Sequence, residues 1–267
     1  MTPQRIDGWY DRFRYYRRPP SREEIASWLE RFASENGDRD LAARLLDAVR
    51  IVSEEEIQIG YREALEAIPG WDRNREHREG NWVICGLGHA GESGAEMLRK
   101  FREANRLGAE RFDYLFDNVT NLVERKLTEQ DTVILVDDFA GTGDQVCSYW
   151  PTHAELIGGA KAYLVLTAST EAAITRFVDL ISLEEILVSH VLEEVDNLFS
   201  GQSEVFSAEE KARLLEYCRL ADKNNPKGYG DCGLAVILSH KTPNNSLPLL
   251  HANKASWSGL FPRYLNV

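Results

Sequence analysis

Two adjacent carboxylates, Asp137 and Asp138, follow an apolar run at residues 132–136. The run reads TVILV, a composition rich in β-branched residues that is typical of a buried strand. Neighbouring residues of a strand point to opposite faces, so both side chains reach one ligand only where the strand bends at its end. Two carboxylates placed in this way can accept hydrogen bonds from vicinal hydroxyls or hold Mg²⁺.

A turn of small residues comes next and leads directly into a helical pattern. Gly141 and Gly143 allow backbone N–H groups to converge, and the start of the helix adds the positive end of its dipole. Such a turn binds anions. We therefore expect a phosphate to lie against Ala140, Gly141, Thr142, Gly143, Asp144 and Gln145, which we call the phosphate loop. Hydroxyl acceptors beside this loop predict a site for ribose 5-phosphate, and the alternative is a surface strand end with two solvated aspartates.

A second glycine-rich loop follows an earlier apolar run at residues 82–85 and carries four glycines between positions 86 and 94. Glycines at this density allow the backbone to approach a ligand closely. Gly86, Gly88 and Gly91 have the GxGxxG spacing of a dinucleotide site. That site needs an acidic residue about twenty positions on, whereas Asp117 lies about thirty positions on. A dinucleotide site would also leave the two adjacent carboxylates unexplained.

The order of the elements predicts how these loops are held. Apolar runs alternate with helical stripes and lie at residues 82–85, 112–116, 132–136, 162–167, 185–191 and 234–239. This alternation predicts an α/β fold with a central parallel sheet of about five strands and helices on both faces. In such a sheet ligands bind at the edge where the strands have their C-terminal ends.

The chain in front of the sheet has a helical pattern. Capping boxes begin at Ser21 and Ser53, and each precedes an amphipathic stripe. We therefore predict a helical N-terminal extension over residues 1–79 and an α/β domain over residues 80–267. Within that domain the tail from about residue 192 forms a C-terminal hood-like segment.

Composition and charge exclude several classes of protein. The chain of 267 residues has 31 basic and 43 acidic side chains, and its net charge of −12 disfavours non-specific binding to nucleic acid. No apolar run is long enough to cross a membrane, and the first residues lack the apolar region of a secretory signal. The four cysteines are far apart and form no zinc motif, so we expect a reduced, cytoplasmic protein.

Residues 10–18 interleave tyrosine and phenylalanine with arginine. Such a run could bind nucleic acid through charge and stacking. We favour the other interpretation, in which the arm packs its aromatic rings on the body of the protein.

Residues 134–145 resemble the phosphoribosyl pyrophosphate (PRPP) motif of type I phosphoribosyltransferases, and the resemblance extends over about residues 82–190. It implies that Asp137 and Asp138 hold the ribose hydroxyls and orient Mg²⁺ indirectly, while the phosphate loop binds the 5-phosphate. It also implies that Gly86, Leu87, Gly88 and His89 receive the pyrophosphate. The segment 117–130 is then a mobile loop whose cations, Arg125 and Lys126, close over the substrate, although its apolar spacing equally predicts a surface helix.

The motif departs from the usual pattern at two positions. Many members of the family have Thr or Asp where this chain has Gly141, and Thr where it has Asp144. Gly141 has no side chain to act as an acid or base. The helical front, the DDF sequence and the long tail are more similar to divergent phosphoribosyltransferase-like proteins associated with bacterial conflict and anti-phage systems.

The tail is similar to the same divergent family, in which it is a shared signature of unassigned role, and its residue types offer further candidates. His240, Lys241, Asn244 and Asn245 follow the last apolar run, where such side chains can bond a base or sugar. A tail packed back on the sheet is the alternative. Trp257 and Phe261 could likewise form a stacking wall or a packed lid.

Together these patterns predict a protein that binds PRPP, or a related ribose-phosphate nucleotide, with Mg²⁺. We expect a glycosyltransferase-type enzyme that transfers ribosyl groups or cleaves nucleotides, acting as a defence effector restrained by protein partners. The alternatives are a catalytically inactive nucleotide sensor, which Gly141 would permit, and a partner-binding module on the same fold.

Overall fold

The structure is a computed structural model that describes residues 2–34, 37–88, 93–255 and 257–264. Contacts divide the chain into two compact units. Unit 1 comprises Met1–Glu54 and Glu193–Val267, and unit 2 comprises Glu55–Leu192. This grouping differs from the predicted division between residues 79 and 80, because residues 55–79 belong with the sheet and the tail belongs with the N-terminal helices.

The helices and strands of the described ranges alternate along most of the chain. In chain order the helices are α1 (Pro3–Phe13), α2 (Arg22–Leu29), α3 (Asp38–Ala48), α4 (Glu54–Ala67), α5 (Gly94–Ala104), α6 (Leu122–Arg125), α7 (Asp144–Ile157), α8 (Glu171–Leu180), α9 (Ala208–Ala221) and α10 (Pro248–His251). The strands are β1 (Arg50–Val52), β2 (Trp82–Gly86), β3 (Phe116–Asp117), β4 (Thr132–Ala140), β5 (Lys161–Thr170), β6 (Glu185–Leu192), β7 (Val236–Leu238), β8 (Asn253–Lys254) and β9 (Trp257–Ser258).

Unit 2 is built on a five-stranded parallel sheet with the order β3-β2-β4-β5-β6. The predicted α/β class and its central sheet are confirmed. Gly86 at the end of β2 pairs with Val136 of β4. The glycine-rich loop after β2 therefore starts beside the two carboxylates at the end of β4, as strand order in a parallel sheet requires.

Helices cover both faces of this sheet. On one face, Val133 and Leu164 belong to an apolar cluster with Phe177 of α8 and with residues of α6 and α7. On the other face α5 packs on β2 and β4, and Tyr61 of α4 is hydrogen-bonded to Thr167 of β5. Each fully buried side chain of this kind contributes about 1.5–3 kcal/mol, so the two layers hold the strand ends in place.

Two of the predicted strands are placed differently. Residues Glu110–Leu115 form a 3₁₀ helix, and only Phe116–Asp117 joins the sheet as β3. Phe112 and Leu115 are both buried, and a spacing of three puts them on one face of a 3₁₀ helix. The run at 234–239 contributes β7, which pairs in parallel with β1 in a separate two-stranded sheet rather than with the central one.

Unit 1 has its own aromatic core, which joins the N-terminal helices to the tail. Phe13 and Tyr16 pack edge-on against Phe261, with ring centroids 4.9 Å and 5.5 Å away. Trp28 packs against Trp257 in the same way. The favoured interpretation of the N-terminal arm is confirmed, and the tail aromatics form a packed core rather than an open stacking wall.

No helix in the described ranges combines the length and the apolar character that a membrane span requires.

Candidate functional site

The carboxylates of Asp137 and Asp138, which we call the acid pair, lie buried at the end of β4 with exposures of 2% and 8%. Ser93, the residue before α5, has its hydroxyl oxygen 2.8 Å from Asp137 Oδ1 and 3.2 Å from Asp138 Oδ1. Although the two residues are neighbours on one strand, both side chains therefore reach the same point. A hydroxyl has one hydrogen to donate, so it cannot satisfy both carboxylates at once.

The pKa of Asp137 is raised well above its ordinary value. Burial is the largest cause, and the adjacent charge of Asp138 acts in the same direction. The Asp138 N–H, which donates to Asp137 Oδ1 at 2.9 Å, and the Ser93 hydroxyl only partly oppose this rise. Asp137 thus retains a proton more readily than an exposed aspartate would.

The backbone at the acid pair is fixed from behind by two buried hydroxyls. Thr167 of β5 donates to the Tyr61 hydroxyl at 3.3 Å, and Tyr61 of α4 donates to the Asp137 carbonyl at 3.1 Å. This chain of bonds holds the end of β4 against the helix layer. The carboxylates project from a rigid support.

The carbonyls of the phosphate loop are bound by the end of β5 and the start of α8. Ser169 Oγ donates to the Ala140 carbonyl at 3.2 Å, and Thr170 Oγ1 donates to the Gly141 carbonyl at 2.6 Å. These bonds fix the peptide planes of the turn.

The amides of the same turn differ from its carbonyls in their hydrogen bonding. Within the described ranges, the N–H groups of Gly141, Thr142 and Gly143 donate to no protein acceptor. Buried backbone N–H groups almost always find a partner, and Gly141 and Gly143 are buried. Successive unpaired amides before a helix are the arrangement that an anion completes.

Asp144, at the first turn of α7, does not present an uncompensated charge to this turn. Arg176 of α8 forms an ion pair with its carboxylate and donates to the Thr142 carbonyl at 3.0 Å. The Thr142 hydroxyl donates to Asp144 Oδ2 at 2.8 Å. The repulsion that the sequence suggests between Asp144 and a phosphate is therefore offset by a guanidinium from the next helix.

Both the backbone conformation and the close packing of Phe177 require a glycine at position 143. Its φ is +74°, in the left-handed region that side chains disfavour. A Cβ at this position would lie 2.8 Å from Cε1 of Phe177. Only glycine lets the turn enter α7 this close to α8.

The two ends of the loop after β2 lie against each other. A Cβ on Gly86 would lie 2.2 Å from the Gly94 carbonyl oxygen, and one on Gly94 would lie 2.0 Å from the Leu87 carbonyl oxygen. Leu87 is buried and donates its N–H to the Val136 carbonyl at 2.8 Å. This close approach is what returns the chain to the acid pair at Ser93. Gly88 has a φ of 110°, and predicted pyrophosphate contact His89 lies outside the described residues.

The two cations predicted to close over the substrate are at the end of α6. Arg125 is bonded to Asp117 Oδ2 through Nε at 2.8 Å and Nη2 at 2.5 Å, and to the Tyr114 carbonyl at 3.1 Å. Lys126 is exposed and has a φ of 48°. In this state Arg125 is engaged at the end of β3, and the segment contains a short helix.

The four predicted tail residues belong to unit 1 and are described within it. His240 and Asn245 are buried, Lys241 is half-buried and Asn244 is exposed. The Asn245 amide donates to the Tyr229 carbonyl at 3.0 Å. That amide is used to hold the fold of its own unit.

Sequence reasoning missed three residues of the site: Ser93, Tyr61 and Arg176. Ser93 had a local signal, since a hydroxyl at the end of a glycine-rich loop and the start of a helix is well placed to contact a ligand. Tyr61 and Arg176 had none, because each lies in an amphipathic helix and reaches the site only through the packing of that helix.

The donor set at the acid pair consists of oxygen atoms only. The described residues contain no group of three or more His, Cys, Asp or Glu side chains that could hold a metal ion by themselves. Two carboxylates and a hydroxyl instead match the habit of Mg²⁺, which takes one or two carboxylates and completes its shell with water and substrate phosphates.

The sequence was compared with models of known protein families and with curated proteins. A family model described as PRTase-CE matches residues 25–263, which is most of the chain and includes parts of both units. The match confirms the predicted resemblance to phosphoribosyltransferase-like proteins. The comparison with curated proteins gives no match.

Proposed function

The chain belongs to the PRTase-CE family, and we propose that it binds PRPP, or a related ribose-phosphate nucleotide, at the end of β4. One observation carries the proposal. Two buried carboxylates share a single hydroxyl beside a turn whose amides have no protein acceptor in the described ranges. The hydroxyls of a phosphorylated pentose can donate to these carboxylates, and its phosphate can accept from these amides.

The ribose hydroxyls are proposed to bind the acid pair. The 2-hydroxyl and the 3-hydroxyl can each donate a hydrogen bond to a carboxylate of the acid pair. Because these bonds favour the ionised carboxylates, binding should release the proton that the raised pKa of Asp137 retains. Affinity is then expected to increase as pH rises toward that pKa.

The 5-phosphate is proposed to bind the phosphate loop. The amides of Gly141, Thr142 and Gly143 would donate to it, and the N-terminus of α7 would add its dipole. Arg176 offsets the charge of Asp144 next to this position. The pyrophosphate is proposed to bind at Gly86, Leu87, Gly88 and His89, with Arg125 and Lys126 as loop cations once Arg125 leaves Asp117.

Mg²⁺ is proposed as the cofactor, held through Asp137 and Asp138. It would neutralise charge on the pyrophosphate. The oxygen donor set supports this assignment, and the raised pKa of Asp137 means that a cation would also stabilise the ionised form of that side chain.

The proposed reaction is ribosyl transfer, or glycosidic cleavage, at C1 of the sugar. The residues of this chain contribute by holding the ribose and both phosphate groups in place and by stabilising charge, since Gly141 offers no acid or base.

The first test is a thermal shift with PRPP and MgCl₂ on the full chain. A ligand at 100 times its Kd adds about 2.7 kcal/mol to the free energy of unfolding. We expect this shift in the wild type and in Asp179→Asn, an exposed control on α8, and its loss in the Asp137→Asn, Asp138→Asn double variant. An unchanged shift in the double variant, or no shift in the wild type, contradicts the proposed site.

Gly141 favours a second candidate, a nucleotide sensor that binds without turnover. The two candidates differ in the release of pyrophosphate from PRPP. Release that is lost in the double variant supports the enzyme. A thermal shift without release, tried with several bases and with water as acceptors, supports the sensor.

A role in bacterial defence is proposed on the resemblance alone. Cells that express the chain should resist phage infection, measured as plating efficiency, and cells that express the double variant should lose this protection. Equal plating efficiency on cells with the wild-type chain and on cells with the double variant would contradict the defence role. It would not contradict the proposed ligand site.

A further inference from the structure

A second cavity lies in unit 2 at the opposite end of α5 from the acid pair. It has a volume of about 420 Å³, and its lining includes Arg62, Glu66, Trp71, Arg73, Asn105 and Arg106. Helix α5 starts next to Ser93 and has 11 residues, so its ends lie about 16 Å apart. One small ligand therefore cannot fill both places. We call this second site the arginine cavity.

The charge of the arginine cavity is opposite to that of the chain as a whole. Three guanidinium groups line it with one carboxylate, in a protein whose net charge is −12. In the described part of the chain, none of Arg62, Arg73 and Arg106 forms an ion pair with a carboxylate. By contrast, two arginines along α5 itself, Arg99 and Arg102, pair with Glu103 and Asp113.

Three guanidinium groups line this space with a single carboxylate, that of Glu66, so positive charge is in excess and the cavity favours an anion. The planar fork of a guanidinium matches phosphate oxygens with two parallel hydrogen bonds, and a cavity with several forks selects for a multiply charged anion. The volume of the arginine cavity lies within the range of about 300–1,000 Å³ that small-molecule pockets occupy.

The backbone at Arg106 is held in an unfavourable conformation. Its φ is +55°, at a position just after the end of α5 where glycine or asparagine is usual. Arg73 holds this turn by donating to the Asn105 carbonyl at 3.4 Å and to the Arg106 carbonyl at 2.5 Å. Glycine would adopt this conformation at a lower free-energy cost than arginine. The presence of Arg106 here therefore points to a use for its charged side chain.

The cavity also has an aromatic wall. Trp71 is half-buried, and its ring is supported by Trp82, at a centroid distance of 5.4 Å, and by Arg78, whose Cζ lies 4.9 Å from the ring centroid. Arg78 is buried, and its Nε and Nη1 donate to no acceptor among the described residues. The wall thus joins a stacking surface to additional positive charge.

We propose that the arginine cavity binds a nucleotide, with its phosphates on Arg62, Arg73 and Arg106 and its base against Trp71. The nucleotide is either free or the phosphorylated end of a single strand, since both present the same phosphate and ring. This site is separate from the ribose-phosphate site and does not depend on it.

The experiment measures the binding of ADP labelled with a fluorophore on its ribose, by fluorescence polarisation. The full chain carries Asp137→Asn and Asp138→Asn, so that the first site does not contribute. We expect binding that weakens as salt increases. The affinity should fall at least tenfold in the variant that also carries both Arg62→Gln and Arg106→Gln. The control Arg99→Gln, on the same helix but outside the cavity, should bind as the parent does.

Two further measurements distinguish the contribution of the base to binding from that of the phosphate. Trp71→Leu should weaken ADP at least fivefold more than it weakens inorganic phosphate, measured by competition. An eight-nucleotide single strand with a 5′-phosphate that competes better than ADP identifies the strand end as the source, and the reverse order identifies the free nucleotide. Equal competition by inorganic phosphate and ADP would overturn the proposal.

The proposal also fails if labelled ADP does not bind, or if the arginine variant binds as tightly as Arg99→Gln. Should the double aspartate variant not fold, Arg106→Gly in the otherwise wild-type chain serves instead, with excess PRPP and MgCl₂ present to occupy the first site. It relieves the backbone at position 106, so it should raise the thermal midpoint while it weakens ADP binding. Unchanged binding in that variant would overturn the proposal in the same way.

Discussion

The two ends of β4 each hold a buried aspartate, and the protein surrounds them in opposite ways. Asp131, just before the strand, is 3% exposed and accepts four hydrogen bonds from the backbone and side chains of Asn81 and Thr128. Asp137, at the other end, is 2% exposed and accepts bonds from the Ser93 hydroxyl and one amide in the described part of the chain.

The consequence is opposite shifts of pKa. Burial raises the pKa of both side chains, but at Asp131 the donors on Asn81 and Thr128 outweigh burial and lower the pKa below its ordinary value. At Asp137 burial and the charge of Asp138 outweigh the few donors and raise it. A fully bonded carboxylate holds a fold together, whereas an incompletely bonded one is available to a ligand.

The largest effect on stability is expected at the fully bonded end. Asp131→Ala should lower the free energy of unfolding by about 3 kcal/mol, because four donors lose a charged acceptor in a buried place. Urea unfolding of the full chain measures this change. A loss below 1 kcal/mol would mean that the bonds at Asp131 are not the reason for its burial.

A matched pair of glycines tests the same contrast in the backbone. Gly80, beside Asp131, has a φ of +63°, and a Cβ there would lie 2.0 Å from the Gln130 carbonyl oxygen. Gly80→Ala should cost about 2–3 kcal/mol of stability and leave the PRPP thermal shift unchanged. Gly143→Ala should cost only about 1–2 kcal/mol, since it meets a side chain, and should reduce the shift.

Gly108→Ala is the control for this pair, because nothing lies within 4 Å of a Cβ at that position. It should leave both readouts near wild type. If Gly80→Ala weakened the ligand as strongly as Gly143→Ala, the two ends of β4 would not be functionally distinct.

A smaller effect of opposite sign is expected at the acid pair. Asp137→Asn should raise the free energy of unfolding of the ligand-free protein, because burial and the charge of Asp138 both disfavour the ionised Asp137 carboxylate. It removes a buried charge next to Asp138, and the new amide can donate to that neighbour. The same variant should lose the PRPP shift, so stability and binding change in opposite directions, and a destabilised variant would contradict this account.

The smallest effect is in the pH dependence of stability. The folded protein keeps the Asp137 proton above the ordinary pKa of 3.8, so the contribution of Asp137 to stability falls as pH rises from 3.8 toward its raised pKa. The contribution of Asp131 is present above 3.8 and is lost as pH falls through its lowered pKa. Unfolding measured from pH 3 to pH 8 should lose the first slope in Asp137→Asn and the second in Asp131→Ala.

The sequence predicts the sheet and the loops of the site well, for a physical reason. Residues 132–136 are apolar and β-branched because the strand is buried on both faces, and glycines mark the turns that approach other backbone closely. These signals are local. The short strand β1 has no such pattern over its three residues, and Phe112 with Leu115 have a spacing that fits a strand run and a 3₁₀ helix alike.

The partners that tune the site could not be predicted from spacing. Ser93 and Tyr61 reach the end of β4 from 44 and 76 residues away in the chain, and Arg176 reaches Asp144 from 32 residues away. Asp144 illustrates the difference. Its charge suggests repulsion of a phosphate when the sequence is considered alone, and only the packing of α8 against α7 reveals the arginine that offsets it.

The composition of unit 1 from both ends of the chain has a consequence for biosynthesis. Arg50 of β1 pairs with Val236 of β7, and the ring of Phe13 packs against the ring of Phe261. In each pair the first residue is synthesised long before the second. Unit 2 is continuous and can fold on the ribosome as soon as it emerges, whereas the first 54 residues keep an apolar face uncovered until the last segment is translated. Nascent chains stalled before residue 230 should therefore recruit chaperones through their N-terminal helices while already holding a formed sheet.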